Sequence, residues 1–128
     1  MPVRVVDASA LAAMFFEEPD GLRVAGQLMG ASLAAPAMLA FEMANVCLTK
    51  MRRHPGRRQD LEEGFRAFAD MDIDVVEIDL HEALTLARRT KLSVYDATYL
   101  WLARALNVEL VTLDKRLATA AAAEANND

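Results

Sequence analysis

Four acidic side chains, widely separated in the sequence, are candidates for one catalytic centre. Asp7 directly follows a short β-branched run, and Asp114 follows the last apolar run of the chain. If these runs are parallel strands, both carboxylates lie at the carboxyl edge of a sheet, where functional sites of open α/β folds are found. Asp96 lies in the first turn of the helix that leads into the last strand. Glu42 lies in the first turns of the helix that follows the second strand, so both can reach the same edge.

Glu42 is the most informative of the four. It is the single charged residue between Arg23 and Lys50, in an apolar stretch that is typical of a largely buried helix. An isolated buried carboxylate is costly, so this side chain either faces water or meets a positive charge inside the protein. A metal ion beside it would supply that charge.

Clustered carboxylates repel one another and shift each other's pKa values, and divalent cations among the oxygens relieve this repulsion. Hard oxygen ligands with few histidines favour Mg²⁺, and Mn²⁺ is possible. Such a site suits phosphodiester hydrolysis, in which metal ions activate a water and stabilise the leaving oxygen. The residue types therefore predict a metal-dependent phosphodiesterase.

Each acid also has a purely structural interpretation. Asp7 and Asp114 can cap the helices that follow them. Asp96 fits a capping box with Ser93. Glu42 can be one polar position of a buried helix, with Asn45 three residues further on the same face. Asn45 is also a candidate supporting residue of the site. Tyr95, Tyr99 and Trp101 are interpreted as packing residues.

The distribution of charges along the chain favours an anionic partner more than the net charge does. The formal net charge is −5, which by itself argues against a nucleic-acid binder. However, residues 50–58 carry five Lys or Arg and no acid, and Lys115 and Arg116 follow Asp114. Arg52, Arg53, Lys115 and Arg116 are therefore candidate RNA-binding residues, although solvated helix faces are the commoner explanation of any single basic run.

The elements that position these residues alternate along the chain. Short runs rich in Val, Ile and Leu predict strands at 3–6, 32–36, 74–80 and 108–113, and helical segments lie between them. The helix after the second strand is predicted over 37–53, with Pro36 at its first position. Strands that alternate with helices predict an α/β fold with a short parallel sheet covered on both faces. Residues 124–128 are expected to fray.

Length and composition fit one domain. The chain has 128 residues, of which 54% are hydrophobic, and one cysteine, Cys47. A single cysteine excludes an internal disulfide framework and is typical of a reducing cytoplasm. No signal peptide is recognised, and residues 24–49 are too interrupted by polar residues for a membrane span. A cytoplasmic protein without membrane attachment is expected.

Four motifs carry a resemblance to a known family. The segments are VVDASAL at the first strand, FEMANV around Glu42, YDATYLWLA around Asp96 and LVTLDKRL around Asp114. Together, in this order and spacing, they resemble the PIN-domain family, and the length resembles its VapC-type toxins. The resemblance implies an α/β/α sandwich over residues 1–123 and a magnesium-dependent endoribonuclease.

The resemblance also implies roles and partners. Asp7 and Asp96 would be the foremost metal ligands, with Glu42 and Asp114 completing the acidic set, and Ser9 and Thr112 would support water or metal. A VapB-type antitoxin would silence the toxin, the toxin would form a homodimer, and DNA would be contacted only through the antitoxin.

Two other functions remain open at this point. A receiver-like phospho-acceptor domain has a similar length and sheet, and Asp79 lies near the end of the predicted third strand. A non-catalytic binding module with a PIN-like fold is the second alternative.

Overall fold

The computed structural model describes residues 1–126. Within this range it contains four strands, β1 (Val3–Val6), β2 (Ser32–Ala35), β3 (Ile73–Val75) and β4 (Glu109–Val111). It also contains seven α-helices, α1 (Ala8–Phe15), α2 (Gly21–Leu28), α3 (Met38–Arg53), α4 (Arg58–Ala69), α5 (Leu80–Thr90), α6 (Val94–Leu106) and α7 (Lys115–Ala125). One turn of 3₁₀-helix, Pro55–Arg57, joins α3 to α4.

The strands form one parallel sheet in the order β3-β2-β1-β4. Val5 at the centre of β1 pairs with Ala34 on one side and Leu110 on the other, and it is fully buried. Helices α1 to α4 pack together on one face, and α5, α6 and α7 pack together on the other, as right-handed crossovers require for this strand order. The predicted α/β fold with a central parallel sheet is confirmed.

This strand order determines where a site can form. The chain leaves β1 towards β2 on one side, whereas β4 adds to the opposite side of β1. The carboxyl ends of β1 and β4 therefore flank a change of direction in the sheet, which is the usual position of a binding crevice. Asp7 follows β1 directly, and Asp114 follows β4 after two residues.

Several predicted boundaries are corrected by the structure. The fourth strand is confined to Glu109–Val111 instead of 108–113. The third strand ends at Val75 instead of continuing to residue 80, because it is an edge strand whose last bond runs from the Val76 N–H to the Ala35 carbonyl. Pro36 is not the first helical residue. Ala37 is the N-cap of α3 and Met38 its first residue.

The carboxyl-terminal segment is more ordered than expected. Helix α7 continues to Ala125, and Glu124 is only 3% exposed. The Arg89 Nε donates a hydrogen bond of 2.9 Å to the Glu124 carboxylate, and the Arg104 Nη1 donates to the Glu124 carbonyl. Fraying from residue 124 onward is therefore a wrong prediction at 124 and 125, because two arginines hold this turn. Residues 127 and 128 lie outside the described residues.

The helices of residues 1–126 show no segment that is both long and apolar enough to span a bilayer.

Gly64 marks the close approach of α4 to the end of α1. A Cβ atom at Gly64 would lie 2.3 Å from the carbonyl oxygen of Phe15. We expect Gly64→Ala to lower the free energy of unfolding by about 1–3 kcal/mol, because the new Cβ would meet a backbone carbonyl that cannot move by itself, so the helices must separate. Urea denaturation measures the change.

Gly26 in α2 provides the matched control. A Cβ there meets no atom within 4 Å. We expect Gly26→Ala to raise stability by up to about 1 kcal/mol, the ordinary preference of a helix interior for alanine over glycine. If Gly64→Ala raised stability to the same extent, the close contact between α1 and α4 would be refuted.

Candidate active site

Asp7 lies at the junction of β1 and α1 and is 5% exposed. It is the N-cap of α1, with its Oδ1 accepting a hydrogen bond of 3.1 Å from the Ala10 N–H. The positive end of the helix dipole and this bond both favour a carboxylate at the position. The capping interpretation of Asp7 is therefore correct, and it is compatible with a further role for the same side chain.

Two hydroxyl groups connect Asp7 to the end of β4. The Ser9 Oγ donates to the Asp7 Oδ1 at 2.7 Å and accepts the Leu113 N–H at 2.9 Å. The Thr112 Oγ1 donates a short hydrogen bond to the Asp7 Oδ2 and accepts the Asp114 N–H at 3.0 Å. Each hydroxyl thus accepts a hydrogen bond from a backbone N–H of the β4–α7 connection and donates one to the Asp7 carboxylate. This network holds the carboxylate in one orientation.

Asp114 begins α7 as its N-cap. Its Oδ1 accepts from the backbone N–H groups of Arg116 and Leu117, at 2.9 Å and 3.1 Å. The capping interpretation is correct here too. The cap uses one carboxylate oxygen, so Oδ2 is left for other contacts.

Glu42 lies in the second turn of α3 and is half-buried. The Tyr99 hydroxyl on α6 donates a hydrogen bond of 2.6 Å to its Oε1. Glu42 therefore faces α6, and the partner that makes its burial tolerable within the protein is the buried Tyr99 phenol.

Asp96 lies in the first turn of α6 and is also half-buried. The Ser93 Oγ caps this helix by accepting the Asp96 N–H at 3.1 Å. The half of the predicted capping box that rests on the Ser93 side chain is therefore present.

The four carboxylates share one electrostatic neighbourhood. Burial is the largest cause that raises the pKa of Asp7, and the charge of Asp114 raises it further. Burial also raises the pKa of Glu42, to which the charges of Asp7 and Asp96 add. Burial raises the pKa of Asp96 as well, with the charge of Asp114 as the next cause, whereas Arg116 lowers it. Side chains from four separated segments therefore repel one another at this edge of the sheet.

Among residues 1–126, the acids do not form a complete metal-coordination site as they stand. In residues 1–126 no three His, Cys, Asp or Glu side chains are placed so that they could together hold an ion as they stand. The donors are nevertheless hard carboxylate oxygens, and burial and repulsion both penalise their charges, which is the environment that a hard divalent cation relieves. The residues fit Mg²⁺ or Mn²⁺ by the chemistry of the donor set.

Asn45, Arg52 and Arg53 lie on α3, beyond Glu42 in sequence. Asn45 is exposed and lines a surface groove with Thr49 and Arg53, and its side chain bonds to none of the four carboxylates within residues 1–126. Arg52 follows Glu42 by ten residues on α3, a distance of about 15 Å along the helix. Asn45 is thus exposed and does not bond to Glu42, and its role as a supporting residue stays a prediction.

Lys115 and Arg116 lie beside the acids. Both are exposed, and both line a groove of about 510 Å³ between the end of α5 and α7, together with Leu92 and Ala120. The Arg116 Nη2 donates to the Lys91 carbonyl at 3.2 Å, and its charge acts on Asp96. Of the four candidate RNA-binding residues, Lys115 and Arg116 are the two that lie next to the acids.

Tyr99 is the site residue that sequence reasoning missed. It is interpreted above as packing, which is correct for its ring, but its hydroxyl contacts Glu42. The available signal is its spacing, because Tyr99 follows Asp96 by three residues and so lies on the same side of α6. Asp79, the alternative phospho-acceptor, is exposed and caps α5 through the Glu82 N–H at 3.0 Å.

Comparisons with known proteins agree with this geometry. The family model for the PIN domain matches residues 4–123. Ribonuclease VapC3 from Pyrobaculum aerophilum is 33% identical over 119 residues, covering 89% of this chain and 91% of that relative. The crystal structure of PAE2754 from Pyrobaculum aerophilum superposes with a TM-score of 0.64 at 22% identity, covering 93% of this chain and 86% of that one.

The family match spans nearly all of the chain, and the curated relative is similar over nearly its whole length. The structural neighbour independently supports the fold. These findings remove the receiver-like alternative and confirm the predicted α/β/α fold class. The chain belongs to the PIN domain family and is a VapC-type member of it.

Proposed function

We propose that this protein is a magnesium-dependent endoribonuclease and the toxin of a VapBC-type toxin–antitoxin pair. The observation that carries the proposal is the mutual repulsion of Asp7, Glu42, Asp96 and Asp114 at the carboxyl edge of the sheet. The similarity to a relative named as a ribonuclease supports RNA as the substrate.

The proposed metal ligands are the same four acids, with Asp7 and Asp96 foremost. Mg²⁺, or Mn²⁺ in its place, would supply Lewis-acid stabilisation of the scissile phosphate and a water of lowered pKa if these acids held it. Ser9 and Thr112 hold Asp7 in a fixed orientation through their hydrogen bonds. The buried strands beneath Asp7 exclude bulk water from one side, so that the charges act in a medium of low dielectric constant.

Lys115 and Arg116 are the proposed phosphate-binding residues. Both are exposed, and the Arg116 charge reaches Asp96, so a backbone phosphate next to the scissile bond can meet this guanidinium. Arg52 and Arg53 lie far along α3 and can contact only more distant phosphates.

Removing one cation at a time tests this assignment. We expect Arg116→Ala to weaken binding of a single-stranded RNA and to reduce the salt slope of binding by about 1, because one phosphate contact is lost. Binding is measured by fluorescence anisotropy in Ca²⁺ over a range of salt concentrations, so that the RNA stays intact.

Arg52→Ala is the matched control, since it removes the same charge from an exposed helix position. We expect a smaller effect on short RNAs centred on the cleaved bond. Equal losses for the two variants would show that the basic residues act only through the general field of the protein.

The proposed partners are a VapB-type antitoxin and a second copy of the chain. Exposed apolar side chains support protein association, since Leu80 and Leu84 lie one turn apart on α5 and are 65% and 54% exposed. Any contact with DNA is proposed to be indirect, through the antitoxin. Light scattering of the purified chain measures its oligomeric state.

The proposed location is the cytoplasm. The buried Cys47, which forms no disulfide, agrees with it.

The central experiment incubates the purified protein with total RNA in Mg²⁺ and in EDTA and maps new RNA ends. Cleavage at defined positions in Mg²⁺ alone supports the proposal. Absence of both cleavage and Mg²⁺ binding would favour the remaining alternative, a non-catalytic binding module with a PIN fold.

A further inference from the structure

Tyr99 connects the core of the protein to one of the proposed metal ligands. Its side chain is 1% exposed and is the largest of the fully buried ones in residues 1–126. Its hydroxyl donates to the Glu42 Oε1 at 2.6 Å. A contact of 3.8 Å between the Thr98 Oγ1 and the Met38 Sδ joins the same two helices nearby. The Tyr99–Glu42 bond therefore links α6 to α3 across 57 positions of sequence.

The bond has a consequence for the Glu42 carboxylate. A buried hydroxyl needs a partner, and a hydrogen bond to a carboxylate is stronger than one between neutral groups. Tyr99 occupies Oε1, and no further hydrogen bond or ion pair of Glu42 is found among residues 1–126, so Oε2 is free. The phenol thus determines the rotation of the carboxylate and which oxygen remains available.

We propose that Tyr99 is a positioning residue, whose hydroxyl holds Glu42 so that its free oxygen is ready for a divalent cation shared with Asp7 and Asp96. This inference rests on the proposed function, because it presumes a metal among the acids. Tyr99 itself contacts neither metal nor RNA. The helix packing that buries its ring makes the carboxylate rigid before the cation arrives, which lowers the entropic cost of binding.

Tyr99→Phe tests the proposal, since it removes one oxygen and keeps the ring that fills the core. We expect about tenfold weaker binding of Mn²⁺, measured by titration calorimetry or electron paramagnetic resonance, from the loss of one hydrogen bond to a charged group. The Mg²⁺ concentration for half-maximal RNA cleavage should rise similarly, with the KM for RNA unchanged. A residue that only packs would lower the melting temperature and leave Mn²⁺ affinity unaltered.

Tyr95→Phe is the matched control. It makes the same chemical change one turn earlier on α6, at a side chain that is 70% exposed. We expect it to leave Mn²⁺ affinity within about twofold of the wild type, because an exposed hydroxyl has water as its partner. If Tyr99→Phe gave the same result, the positioning role would be overturned.

A double-mutant cycle separates this inference from the proposed function. In a Glu42→Gln background, Tyr99→Phe should have no further effect on Mn²⁺ affinity, because both changes remove the same contact. Additive losses would overturn the inference while leaving the metal site intact. A wild-type protein that does not bind Mn²⁺ would overturn the proposed function together with it.

A second measurement applies if Tyr99→Phe does not fold. The chain has two tyrosines, so a Tyr95→Phe protein made with 3-fluorotyrosine carries one ¹⁹F signal, from position 99. We expect the chemical shift of this signal to change as Mg²⁺ is added, with the same midpoint concentration as metal binding. In Glu42→Gln the change should be absent. A signal that does not respond to saturating Mg²⁺ would overturn the proposal.

Discussion

Replacing Asp7 by asparagine should reduce Mg²⁺-dependent RNA cleavage by roughly a thousandfold or more, the scale of loss when an essential charged group is removed from a catalytic centre. The variant should fold, because the asparagine Oδ1 can still accept from the Ala10 N–H and from the Ser9 hydroxyl. The new side chain removes the negative charge and replaces Oδ2 by a donor, which cannot bind a cation. Initial rates on an RNA with a mapped cleavage site measure the effect.

Asp79→Asn is the control for this variant. Asp79 is also a helix N-cap, at the exposed start of α5, and the substitution makes the same change outside the acidic cluster. We expect wild-type cleavage rates from it. Full activity in Asp7→Asn would refute the assignment of Asp7 as a catalytic ligand, and circular dichroism would show whether a loss of activity reflects unfolding.

The same substitution should stabilise the metal-free protein at neutral and alkaline pH. Burial raises the pKa of Asp7 above its ordinary value, so the folded state holds this proton more tightly than the unfolded state. The stabilisation from that proton is complete below the unfolded pKa and is lost as the pH rises through the folded pKa. Each pKa unit between the two states amounts to about 1.4 kcal/mol. An asparagine at this position carries no such proton, so it contributes no loss of stability in this range.

The expected pattern is a melting temperature in EDTA that is several degrees higher for Asp7→Asn at pH 8 and nearly equal for the two proteins at about pH 3, below the unfolded pKa of the aspartate. Glu42 and Asp96 have pKa values raised in the same direction, so both proteins still lose stability with rising pH through these two groups. Saturating Mg²⁺ should reverse the order at pH 8, because the cation stabilises only the intact acidic cluster.

Two outcomes would contradict this account. A stability difference that does not change with pH would show that the effect comes from packing and not from the Asp7 charge. A melting temperature that does not respond to Mg²⁺ in the wild type would indicate that the acids do not hold the cation.

The elements of the fold could be predicted from the sequence because their signals are local. The β-branched run at 3–6 became β1, and the strand at 32–35 and the helices on either side of it also lie close to their expected positions. The capping positions of Asp7 and Asp114 depend on the residues that immediately follow them, so they too could be predicted directly. The edge strand β3 was predicted too long, since its end depends on hydrogen bonds to β2 and not on its own composition.

Sequence pattern was enough to predict the fold class and to single out four acids at the strand ends and in the first two turns of the following helices. The folded chain was needed to know the sheet order, which brings Thr112 to Asp7 across 105 positions, the exposed position of Asn45 and the distance of Arg52 from Glu42 along α3. It also revealed the hydroxyl of Tyr99 against Glu42 and the burial of Glu124 beneath Arg89. The physical reason is that periodicity and capping are set by neighbours in sequence, whereas these contacts form only when distant elements pack, and a helical pattern does not state which helix will face which side chain.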